Sequence, residues 1–88
     1  MVVDAHNDLL FELAFRAGER EPFARYWLDQ LRQGQVELQV CPVSAPFDLL
    51  PEAALRTALE QAAARLRALA ENGDDVALVE TRADLDRL

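Results

Sequence analysis

The sequence predicts an α/β fold, and three observations carry that prediction. Val2-Val3 form an apolar pair running into a polar cluster, and Val36 to Pro42 alternates apolar and polar residues with period two. Helical spacing fills the chain between and after these segments, most clearly from Pro51 to Glu71. The resulting order of strand, helical segments, strand and long helix argues for strands paired in parallel through right-handed helical crossovers.

Val2-Val3 read as a short buried strand that opens into Asp4-Ala5-His6-Asn7-Asp8. Leu9, Leu10, Leu13, Ala14 and Ala17 then have helical spacing, with Asn7 or Asp8 as the cap and Gly18 as the stop. Tyr26, Trp27, Leu28 and Leu31 make a second apolar stripe, broken at Gly34. Pro42 and Pro46 bracket the exit of the second strand. In the long helix, Leu55, Leu59, Ala62, Leu66 and Leu69 fall at spacings of four, three, four and three, giving one apolar stripe. Pro51 and Glu52 suit its first turn and Asn72-Gly73 its end. Val76 to Val79 reads as a very short extended segment, and Thr81-Arg82-Ala83-Asp84 as a capping box opening another helix. The chain stops at Leu88, one turn into that helix, which reads as truncation more than as a finished domain.

Composition narrows the function. With 28% charged and 51% hydrophobic residues among 88, this is one globular unit rather than a disordered chain. A net charge of -7 argues against nucleic acid as a partner, because phosphate binding needs clustered basic residues. Cys41 is the single cysteine, so no internal disulfide forms. No basic start with a long apolar core opens the chain, and no run approaches the ~20 apolar residues of a membrane span. A soluble, cytoplasmic protein is the expectation.

His6 and Asp8 are the candidate site. Residues two apart in extended chain face the same side, so an imidazole and a carboxylate converge on one point, and both are zinc ligands. The plainer alternative has Asp8 capping the next helix and His6 in a hydrogen-bonded loop. Asp4 is positioned to orient a neighbouring backbone group or His6. Cys41 lacks a second histidine to act as its base, so it reads as a small buried hydrophobe. Tyr26 and Trp27 beside leucines read as core. Glu71, Asp74 and Asp75 lack calcium-loop spacing and read as a solvated turn.

Three blocks, the second made of two runs, carry a resemblance. Val3-Asp4-Ala5-His6-Asn7-Asp8-Leu9-Leu10 resembles the opening signature of the membrane (renal) dipeptidase family, an apolar strand leading into Asp-Gly-His-Asn-Asp-Leu. Leu28 to Val36 resembles that family's Leu-Arg-x-Gly-Gly-Val block, and Leu38 to Val43 its second strand. Asp75 to Leu85 is similar to the stretch before its third strand. The three blocks stand in order and together span the chain from Val3 to Leu85. Ala5 departs from the commoner Gly, and Gln35 and Glu37 from a Gly and a small residue. If a bend there needs a left-handed backbone, Gln35 strains it by ~1–2 kcal/mol.

The resemblance implies the N-terminal portion of a TIM (β/α)8 barrel, about two strands with their helices, with residues 1–88 a single partial domain. It also implies a zinc-dependent dipeptidase with two zinc ions, acting on dipeptides and tolerating D-residues at the C-terminal position. In that family the His and Asp of the first strand bind one zinc, a Glu after strand three bridges both, and two later His bind the second. His6 and Asp8 occupy the first of these roles, at the C-terminal end of the strand where barrel sites lie. The bridging Glu and later histidines have no counterpart here, since His6 is the only histidine. No catalytic residue beyond the ligands is assigned, and the 88-residue chain alone is expected to be inactive. The competing expectation is a small acidic, non-catalytic α/β module that binds a partner or self-associates through an exposed apolar helix stripe.

Overall fold

Strand β1 (Val2–Asp4) and strand β2 (Val36–Gln39) pair in parallel, as the order of elements predicts. The computed structural model describes residues 1–88. Val2 stands opposite Val36, Val3 opposite Leu38 and Asp4 opposite Gln39, with an irregularity between Val2 and Val3. Helix α1 (Leu9–Phe15) follows β1. One π-helical segment, Ala24–Leu28, runs directly into α2 (Asp29–Gln33). A 3-10 turn, Phe47–Leu49, precedes α3 (Ala54–Glu71), and α4 (Arg82–Asp86) closes the order. No helix is long and apolar enough to cross a membrane.

The turn into β2 rests on Gln35, whose φ of 56° puts a non-glycine residue in the left-handed region. At the other end of the chain the capping box forms as the sequence predicts. Thr81 Oγ1 accepts from the Asp84 amide at 3.2 Å, while Asp84 Oδ2 accepts from the Thr81 amide at 2.9 Å. Asp84 is shorter than the usual Glu, and it still reaches both groups.

The core lies among helices. Leu9, Leu10 and Leu13 of α1 pack with Phe23 and Leu28, and against them sit Trp27, Leu31, Cys41, Ala64, Ala68 and Val76. Small residues on α3 let α1 approach closely. The leucine stripe of α3 points the other way: Leu55, Leu59 and Leu66 are 72%, 60% and 61% exposed. Thr57 and Gln61 are buried instead. Gln61 is tolerated because its amide pairs twice with the backbone of Ser44, Oε1 accepting the N–H at 3.1 Å and Nε2 donating to the C=O at 2.5 Å. Arg67 of α3 completes the joint by donating to Ala17 O at 2.7 Å and Glu19 O at 2.6 Å, just beyond α1.

This arrangement corrects the expected fold. The chain forms a compact α/β unit of two parallel strands and four α-helices, with a radius of gyration of 13.6 Å, and not a portion of a TIM (β/α)8 barrel. In such a barrel the helices pack on the strands, whereas here Val2 and Val3 are exposed and the buried contact is helix to helix. Smaller differences have local causes. Helix α1 ends at Phe15, before Ala17 and Gly18, where Arg16 N–H bonds back to Glu12 and Leu13. Pro51 and Glu52 lie in a turn ahead of α3 rather than in its first turn. Val76 to Val79 joins no strand ladder, and Val76 packs on the helical core.

Candidate metal centre

Strand β1 ends at Asp4, and the chain turns through Ala5, His6 and Asn7 before α1 begins. Two bonds to β2 hold that turn: Val40 N–H donates to Asp4 O at 2.9 Å, and Asn7 N–H donates to Val40 O at 3.1 Å. Within the turn, Asp4 Oδ1 accepts the His6 backbone N–H at 3.1 Å. Asp4 therefore orients His6 through its backbone, one of the two roles open to it in the sequence.

His6 Nε2 lies 3.1 Å from Asp8 Oδ1, with both side chains open to solvent at 68% and 55% exposure. Asp8 stands at the N-cap of α1 without making a side-chain cap bond. Its carboxylate is turned toward the imidazole instead. Two ligand atoms at tetrahedral bond lengths of ~2.0–2.2 Å from one zinc stand ~3.4 Å apart, so this pair lies within a few tenths of an ångström of that geometry. The donor types are those of zinc ligands, but 3.1 Å is an ordinary hydrogen-bond distance and two donors do not make a zinc site. No group of three or more His, Cys, Asp or Glu side chains gathers around one point, so the remaining positions have no donor in this chain. While Nε2 carries a proton it donates to Asp8; as a ligand it carries none, and Nδ1 holds the N–H.

Cys41, just past β2, is half-buried. Burial pushes its thiol above the ordinary value of 9.0, and the charge of Asp4 pushes it further the same way. A thiol held protonated is a poor nucleophile. Tyr26 points its hydroxyl to Glu19 Oε1 at 2.5 Å, and Trp27 packs against the core. Glu71 pairs with Arg67 and Asp75 with Arg32, while Asp74 of the same cluster is exposed. Gln39, which sequence reading passed over, lies beside the turn. Its alternation in β2 marked a strand position, and only the pairing with Asp4 reveals where it sits.

No protein-family model matches this chain, and it matches no curated protein and no solved structure.

Proposed function

We propose that this chain supplies the His6–Asp8 ligand pair of a zinc-dependent dipeptidase with a two-zinc site. The observation that carries this reading is the 3.1 Å approach of His6 Nε2 to Asp8 Oδ1 at the C-terminal end of β1. The resemblance of the three sequence blocks to membrane dipeptidases supports the substrate class. When bound, a zinc pair polarises a carbonyl and lowers the pKa of a bound water. What the chain's own residues do is narrower: His6 presents a ring nitrogen, Asp8 a carboxylate oxygen, and Asp4 holds the His6 backbone N–H. Two donors do not make a catalytic site, which takes three protein ligands per zinc. The isolated chain accordingly hydrolyses no dipeptide.

The test is zinc affinity, measured by competition with a chromophoric chelator. Wild type binds zinc weakly and His6→Ala loses that binding. Equal affinity in the two proteins discards the assignment.

A second reading, a small non-catalytic binding or dimerisation module, is favoured by the exposure of Leu55, Leu59 and Leu66 on one face of α3. Sedimentation of wild type and Leu59→Glu separates the two readings. A dimer that the substitution dissolves supports the module, and a monomer in both leaves the face unused for self-association.

A further inference from the structure

We propose that the cleft between α1 and α3 binds a small amphipathic cation, an apolar body carrying one ammonium group. The cleft has a volume of about 530 Å³. That lies within the ~300–1,000 Å³ usual for small-molecule sites. It shares no residue with the turn of His6 and Asp8, so the inference is independent of the metal-ligand reading.

The lining suits an apolar body. Leu13 of α1 and Phe23 form a buried floor, and alanines face the space from both helices, Ala14 from α1 and Ala63 and Ala64 from α3. Methyl side chains leave a gap that larger ones would close, and Leu66 of α3 lies outside it, exposed. Arg67 holds the gap open by tying α3 to the chain beyond α1, through Ala17 O at 2.7 Å and Glu19 O at 2.6 Å. A cleft fixed in this way loses little freedom when a ligand enters.

The charged side chains select the sign of the ligand. Glu60 and Glu71 line the cleft against a single cation, Arg67. Arg67 is already engaged, its Nε–H donating to Glu71 Oε2 at 3.2 Å while its two terminal nitrogens serve the carbonyls. Glu60 has a loose partner, Arg56 at 3.9 Å, and both side chains are open to solvent. The lining thus carries one net negative charge, with Glu60 placed to accept from an ammonium. The net charge of -7 on the chain adds a field of the same sign. An anion would meet two carboxylates and a guanidinium already occupied.

The experiment is titration calorimetry at neutral pH with three ligands sharing one body: naphthylmethylamine, naphthylmethanol and naphthylacetate. The amine is expected to bind most tightly and the acetate least. Glu60→Gln should weaken amine binding about 3-fold, the effect of an exposed ion pair, and leave the alcohol unchanged. Ala63→Phe, at an exposed wall position, should fill the cleft and remove binding of all three while its circular dichroism stays that of wild type. Binding of none of the three to wild type overturns the site. Acetate held as tightly as the amine overturns the ligand class, and amine binding unaltered by Glu60→Gln removes the role of its carboxylate. Full binding by a folded Ala63→Phe places the ligand elsewhere and overturns the site as well. If Ala63→Phe does not fold, the response to Glu60→Gln decides.

Discussion

Asp8 occupies the N-cap of α1 and yet leaves that helix uncapped, because its Oδ1 is 3.1 Å from His6 Nε2. An aspartate at this position ordinarily accepts from a backbone N–H of the first turn, a bond whose loss costs ~0.5–2 kcal/mol. Asp8 forgoes it for an exposed partner, which in water returns little stability. Replacing Asp8 with Ala should therefore change the unfolding free energy by less than about 0.5 kcal/mol, well under the usual cost of deleting a cap. Urea unfolding of Asp8→Ala checks this, and a loss within or above the capping range shows that the side chain supports the fold.

Gln35 sits at φ 56°, where a Cβ is strained and glycine is not. Left-handed backbone costs a non-glycine residue ~1–2 kcal/mol, and the greater freedom of glycine in the unfolded chain returns part of that. Gln35→Gly is expected to raise stability by about 0.5–1 kcal/mol, read as a higher urea midpoint at unchanged slope.

Gln61 holds the Ser44 backbone from the buried side of α3. Gln61→Leu keeps the volume and removes both bonds, leaving an N–H and a C=O of Ser44 without these partners. Each such orphan costs ~1–3 kcal/mol when fully buried, and Ser44 is only half-buried, so the variant should lose about 2–4 kcal/mol. Faster amide exchange at Ser44 would locate the loss.

Tyr26 donates to Glu19, and that bond is the main cause holding the Glu19 carboxyl below its ordinary 4.5, with Arg16 and Arg25 acting in the same direction. A carboxylate depressed in the folded state stabilises the protein above its unfolded pKa, and the contribution is lost as pH falls through the folded value. The stability gap between wild type and Tyr26→Phe should be widest above pH 4.5 and shrink at lower pH. Unfolding midpoints measured from pH 6 downward test this; a gap independent of pH would place the effect in packing.

Local chemistry made several of these features readable beforehand. Thr81 and Asp84 satisfy each other within one turn, Gln35 follows a helix-ending Gly34, and His6 and Asp8 lie two residues apart. Long-range choices were not readable. The spacing of Leu55, Leu59 and Leu66 marks a stripe on α3 without saying which way it turns. Its direction follows from Gln61 finding Ser44 and Arg67 finding Ala17 and Glu19, partners 17 to 50 residues away. The barrel expectation failed for the same reason, since two strands leave the helices to bury one another. The place of Gln39 beside the turn became visible only through strand register.

The claim that His6 and Asp8 are a metal-ligand pair is tested most directly on the imidazole itself. Because His6 is the only histidine, its ring nitrogens give an unambiguous 15N NMR signature. Added zinc should move the Nε2 resonance to the metal-bound range while Nδ1 keeps its proton, and Asp8→Ala should require a higher zinc concentration for the same change. Ring resonances unmoved by zinc, or moved equally in wild type and Asp8→Ala, would contradict the account.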